Sequence, residues 1–183
     1  MIFEENGFYH IFNRGCNKEN IFKEESDYRN LINRISQSDY DKYFNIIAYC
    51  LMPNHYHFLL QLKKKSISGW IRYIFNGYVQ YFNHKYSRSG TLFEGRMKVK
   101  QIKDNDHLIV AIAYIHLNPV YADLATKPEN WEFSNYQEWI GLRSSELYDS
   151  KFIRDNFDTS NDYLEFVKVE LENRNSKESE IEY

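Results

Sequence analysis

A chain of 183 residues with 43% hydrophobic and 17% aromatic content can build one compact core with a short appendage, which excludes a mostly disordered protein. Its formal net charge of -3, from 23 Lys+Arg against 26 Asp+Glu, argues on average against indiscriminate nucleic-acid binding. No apolar run approaches the roughly 20 residues of a membrane-spanning helix, the start Met1-Ile2-Phe3-Glu4-Glu5 lacks a signal layout, and Cys16 and Cys50 form neither a metal spacing nor a disulfide framework, so a cytoplasmic protein of a reducing compartment is expected, without a membrane partner.

Phe8 to Arg14 reads as a strand ended by Gly15. Glu25 to Gln37 suits a helix, with Tyr28, Leu31, Ile32 and Ile35 on one face. Phe44 to Leu51 and His55 to Leu62 are two apolar, β-rich runs joined by Met52-Pro53-Asn54, whose proline and asparagine suit a tight hairpin turn. Ser68 to Tyr86 is a long helix with Ile71, Ile74, Phe75, Tyr78, Val79 and Phe82 inward. Met97 to Ile102 alternates basic and apolar residues, as a half-exposed strand does. Asp104 to Asn118 is a helix capped by Asp104 or Asp106 and stopped by Pro119. The order β-α-β-β-α-β-α predicts an α+β fold, a ferredoxin-like split βαβ with a central antiparallel sheet and an added helix.

One domain is expected over residues 1–142. Residues 143–183 form an acidic, helical C-terminal tail in which Tyr163, Phe166, Val167 and Leu171 make an amphipathic stripe and Asn173 to Tyr183 fray. Charge is uneven along this layout. Residues 63–103 hold ten basic side chains, among them Lys63, Lys64, Lys65, Arg96, Lys98 and Lys100, against the single acid Glu94. Such a block is a solvated face by default, but its interleaving with aromatics also fits a surface for a polyanion. Trp70 and Tyr73 are candidates to stack bases, although aromatics on that helix read first as core.

His55-Tyr56-His57 is the sharpest local feature. Side chains two apart in a strand share a face, so both imidazoles project together and can bind one divalent ion, while Tyr56 points the other way into packing. Taken alone, the pair fits a polar strand surface better than a metal site. On the later helix, Leu108, Ala111, Ile112 and Ile115 form a buried stripe, and Tyr114 and Asn118, four apart, are neighbours on another side. A phenol and an amide there suit a nucleophile and an oxygen ligand. On spacing alone they suit far better one of 16 tyrosines and a residue ending a helix before proline.

Four ordered blocks go further. Tyr9-His10-Ile11-Phe12-Asn13-Arg14-Gly15, Tyr49 to Leu60 around Pro53-Asn54-His55-Tyr56-His57, Gly90-Thr91-Leu92-Phe93-Glu94-Gly95-Arg96 and Tyr114-Ile115-His116-Leu117-Asn118-Pro119-Val120 resemble the signature blocks of the REP-associated tyrosine transposases, within the single-tyrosine HUH (insertion-sequence-200-like) superfamily. The resemblance covers residues 8 to about 142, including Trp131 to Tyr136.

This resemblance implies a transposase and endonuclease that cleaves and rejoins single-stranded DNA carrying palindromic hairpins, through a 5′-phosphotyrosine intermediate. Tyr114 matches the nucleophile, His55 and His57 match the metal-binding histidines, and Asn118 matches the polar third ligand, where glutamine is common in the insertion-sequence branch. Mg2+ or Mn2+ is the implied ion, no organic cofactor is implied, and relatives act as monomer or homodimer. Arg14, Asn13, Arg96, Lys98, Lys100 and the Lys63-Lys64-Lys65 run are then candidate DNA contacts. The alternative is a non-catalytic or domesticated nucleic-acid-binding protein of the same fold.

Overall fold

The computed structural model describes residues 3–64, 66–145, 147 and 149–176. Four strands, β1 (Phe8–Arg14), β2 (Phe44–Met52), β3 (His55–Leu62) and β4 (Lys98–Ile102), form one antiparallel sheet in the order β2-β3-β1-β4. Helices α1 (Glu25–Ser36) and α2 (Ser68–Lys85) connect β1 to β2 and β3 to β4, which is the split βαβ, ferredoxin-like arrangement. β2 and β3 meet through the two residues Pro53 and Asn54, with Met52 opposite His55. Gly15 ends β1 because a β-carbon there would collide with the Glu19 carbonyl.

Alternation sorts the sheet into two faces. Tyr9, Ile11, Ile46, Tyr49, Leu51, Tyr56, Phe58 and Leu60 pack with α1 and α2, while Ala48, Cys50, Met52 and Leu59 face helix α3 (Asn105–Tyr121). A register shift between Ile46 and Ala48 keeps β2 in step: Ile47 is the extra residue and joins the α3 side. Tyr56 is 1% exposed and stacks on Phe75, as packing requires.

Helix α3 starts where Asp104 accepts the amides of Asp106 (2.7 Å) and His107 (3.2 Å). It does not stop before Pro119 but continues to Tyr121. A proline one turn from a helix end forfeits a single backbone bond, and its own carbonyl here accepts from Leu124 (2.9 Å), so the last turn survives.

Short helices α4 (Tyr136–Trp139) and α5 (Ser150–Asn156) lead to α6 (Ser160–Ser176), whose Tyr163 and Val167 are buried in the α3-side core with Phe166 and Leu171 partly so. The segment after residue 142 therefore shares a core with the α3-side face of the sheet; the end of the acidic tail, residues 177–183, lies outside the described residues.

On the other face, Asp27 is fully buried at the start of α1, accepting from the amides of Lys23 (2.8 Å) and Glu24 (3.2 Å), from Lys85 Nζ (2.7 Å) and from Tyr86 (2.7 Å). Burial opposes its ionisation, but Lys85 and the other donors outweigh it and hold the carboxyl below its usual value. Stability from this group is present above the usual carboxylate range and is lost as pH falls through the lower folded value. Asp27→Asn should cost about 2 kcal/mol at pH 7 in urea unfolding, and the deficit should shrink in acid.

Candidate functional site

Helix and strand rises explain how four residues from two elements meet. Positions i and i+2 on a strand are ~6.6 Å apart, and i and i+4 on a helix are ~6 Å apart, so a strand pair and a helix pair can lie in register. His57 of β3 lies against Tyr114, ring centroids 6.1 Å apart and nearly perpendicular. His55 lies near enough to Asn118 for the amide to favour its protonated form against burial. Asn118 also donates Nδ2 to the Tyr114 carbonyl (2.9 Å), tying the two helix positions together.

The imidazoles are neutral. Burial pushes His57 well below its usual pKa, with His10 and His55 adding to the effect, and burial likewise lowers His55 despite the nearby Asn118 amide. Each ring is also held at Nδ1: His55 by Asn54 Oδ1 at 2.6 Å, and His57 by His10 Nε2 at 2.9 Å. Both rings therefore meet the first requirement of a metal ligand, an unprotonated nitrogen at pH 7. Among the described residues no three His, Cys, Asp or Glu side chains cluster as a metal site.

His10, His55, His57 and Tyr114 border a cleft of about 510 Å³ whose rim includes Phe12, Arg14, Glu94, Lys98 and Lys100; Asn118 lies behind it. Lys98 and Lys100 project from β4 opposite Phe12 and His10 of β1, so strand pairing carries their charge onto the histidine face. Arg14 is ion-paired with Glu94. Asn13 is 6% exposed; its Oδ1 accepts from the Arg14 amide (2.9 Å) and its Nδ2 reaches the Gly95 carbonyl (3.4 Å), so it braces the loop behind Arg14.

Other expected contacts lie elsewhere. Arg96 is exposed just before β4 and does not line the cleft. Lys63 and Lys64 follow the far end of β3, where Lys63 donates to the Asp41 carbonyl (2.9 Å) and Lys64 sits 5.0 Å over the Tyr43 ring. Lys65 lies outside the described residues. That end carries a separate hollow of about 570 Å³ lined by Arg34, Tyr43, Trp70 and Tyr73 among others. Trp70 packs edge-on against Phe44 at 4.7 Å, whereas Tyr73 is 73% exposed and is not a core residue.

One side chain of the cleft, His10, stands in the first of the four sequence blocks, yet no spacing to the other candidates marks it. His10 is only 9% exposed, and burial, followed by the Lys100 charge, pushes it down to about 4. Beyond its place in that block, the alternation His10, Phe12, Arg14 on β1 is its one local signal, since its partner is 47 residues away.

The model of the family "Transposase IS200 like" matches residues 4–118, ending on the asparagine near His55. The chain belongs to the IS200-like transposase family. No curated protein matches it. Among solved structures, this transposase is similar to a REP-associated tyrosine transposase bound to a REP hairpin, with a TM-score of 0.61 and 15% identity over 80% of this chain and 93% of that one. At that identity the likeness establishes the fold. No helix among the described residues of the transposase is long and apolar enough to cross a membrane.

Proposed function

We propose that this IS200-like transposase is a metal-dependent endonuclease and strand transferase acting on single-stranded DNA with palindromic hairpins, with Tyr114 as its nucleophile. The observation that carries this reading is the convergence of Tyr114 on the neutral pair His57 and His55 in one basic-rimmed cleft, with Asn118 one helical turn from Tyr114 and tied to its carbonyl.

The donor set fits a divalent ion. Two imidazoles and an amide oxygen suit Mn2+ or Mg2+ rather than a closed structural zinc site. His55, His57 and Asn118 would hold the ion, which when bound offsets charge on the scissile phosphate. The remaining work belongs to the chain. The phenol of Tyr114 gives up its proton to solvent as its oxygen attacks phosphorus. The bond to the 3′-oxygen breaks, and that oxygen takes up a proton in turn and leaves as a 3′-hydroxyl, so no net proton is consumed. The new phosphotyrosine bond retains the energy of the broken diester, so a 3′-hydroxyl reverses the step without ATP. Asn118, bonded to the Tyr114 carbonyl, keeps the tyrosine turn and the amide in one rigid unit. Arg14, Lys98 and Lys100 supply cationic contacts for the strand, and a hairpin-bearing strand as partner agrees with what the structurally similar transposase holds.

Incubation with a palindromic single-stranded oligonucleotide and Mn2+ or Mg2+ should yield a covalent protein–DNA adduct on a denaturing gel, and EDTA should abolish it. Adduct formation undiminished in EDTA would remove the metal from the reading. Intact binding without any adduct would leave a non-catalytic DNA-binding protein of the same fold. Lys98→Ala and Lys100→Ala should each weaken binding without changing sequence preference. Each should also flatten the dependence of log affinity on log salt by about 0.7, the value for one lost single-strand phosphate contact.

A further inference from the structure

His10 has no part in the ligand set, yet it is the side chain that meets His57 most closely. Its Nε2 lies 2.9 Å from His57 Nδ1, with the two rings stacked 5.0 Å apart at 26°. The Cα partner of His57 on β1 is Phe12, so His10 reaches across diagonally from the position opposite Leu59. Phe12 then stacks on both imidazoles, at 4.8 Å from His10 and 5.8 Å from His57, which fixes the planes of both rings. With 9% and 7% exposure, neither ring can exchange this partner for bulk water.

Two neutral imidazoles joined nitrogen to nitrogen share one proton between them. When His57 presents Nε2 as a lone pair to an ion, its proton must sit on Nδ1, and a buried N–H requires an acceptor. His55 is supplied by the oxygen of Asn54 on its Nδ1 side. At His57 the acceptor on that side, among the described residues, is His10 Nε2.

We infer that His10 is a positioning residue: its Nε2 accepts the Nδ1 proton of His57, which fixes the tautomer and ring plane in which His57 Nε2 binds the metal. The inference rests on the metal reading of the previous section. An imidazole differs from the carboxylate often found behind a metal-bound histidine, because it orients the ring without adding negative charge to the site. The site then stays net positive around an approaching phosphate, with Lys98 and Lys100 on the adjacent strand.

The test is calorimetric titration of the full chain with Mn2+ alone, on wild type, His10→Leu, His10→Gln and His57→Ala. His10→Leu keeps the bulk but offers no acceptor, and should weaken Mn2+ binding by about 10–100-fold. Glutamine places an amide oxygen near the position of the lost Nε2 and should restore binding to within about threefold. Rescue by glutamine is an outcome that a purely structural role would not produce. His57→Ala bound to Mn2+ like wild type would overturn the metal site and this inference together. Loss in His57→Ala with wild-type binding in His10→Leu would overturn the role of His10 alone. A spectroscopic readout avoids variants: imidazole 15N shifts of the wild-type protein saturated with Mg2+ should show His57 protonated at Nδ1, and protonation at Nε2 would overturn the inference.

Discussion

Tyr114→Phe is expected to lower the rate of covalent adduct formation by at least about 10⁴-fold, the scale on which removal of a nucleophile acts. The substitution removes one oxygen and keeps the ring, which lies 6.1 Å from both the His57 and the Tyr121 rings. Helix α3 is otherwise anchored by buried residues on its other sides, Ile112, Ile115, His116 and Leu117. DNA affinity and the urea midpoint should therefore stay close to wild type, and the loss should fall on the chemical step. The measurement is a time course with an end-labelled hairpin oligonucleotide, resolved on a denaturing gel. An adduct persisting in this variant would mean that another tyrosine attacks, and Tyr121, one ring away on the same helix, would be the first to replace.

The second large effect concerns stability, and its centre is Asn135. This fully buried side chain accepts from the Tyr49 amide (2.7 Å) and from His116 Nε2 (2.9 Å), and it donates to the carbonyl of the bulged residue Ile47 (3.0 Å). His116 in turn is bonded through Nδ1 to the Tyr163 hydroxyl of α6. The asparagine oxygen fixes the His116 proton on Nε2, so Tyr163 is the donor in that second bond. Asn135→Ala strands the Tyr49 amide and His116 and leaves the Ile47 carbonyl only Trp139 Nε1 (3.0 Å). At 1–3 kcal/mol for each buried group left unsatisfied, partly offset by relaxation, the loss should be about 4 kcal/mol in urea unfolding. A cost below about 1 kcal/mol would mean that water replaces the amide, and that the network does not hold α3 to β2.

The sequence made the periodic parts of the fold plain. β1 and β3 carry the boundaries expected from alternation, and α1, α2 and β4 differ from expectation by a residue at an end, because their apolar positions repeat cleanly. Pro119 misled, because the rule against proline in a helix weighs little within the final turn. The extra residue at Ile47 was illegible: a run as apolar as Phe44 to Met52 hides a break in alternation.

The same contrast holds in the cleft. His55, His57, Tyr114 and Asn118 stand in pairs two and four apart, spacings that local geometry turns into shared faces. His10 meets His57 only through the pairing of β1 with β3, and no local spacing encodes that partner. The basic block of residues 63–103 likewise divides in space. Lys98 and Lys100 reach the cleft, while Lys63 and Lys64 stand at the other end of β3, because a strand of eight residues separates the two places.

The two outer strands of the sheet are finished differently. β2 is closed by Phe133, whose carbonyl takes the Leu51 amide (2.9 Å), and by Asn135, whereas no strand of the described chain pairs with the outer side of β4. An open strand edge is a template for a second copy, and lysines along it are a common deterrent. If they contact DNA as proposed, Lys98 and Lys100 would have a colloidal task beside their electrostatic one. Phosphate bound across them silences their mutual repulsion between molecules, so solubility should be lowest at the stoichiometry where DNA just saturates the edge. The double alanine variant would carry that tendency to self-associate even without DNA.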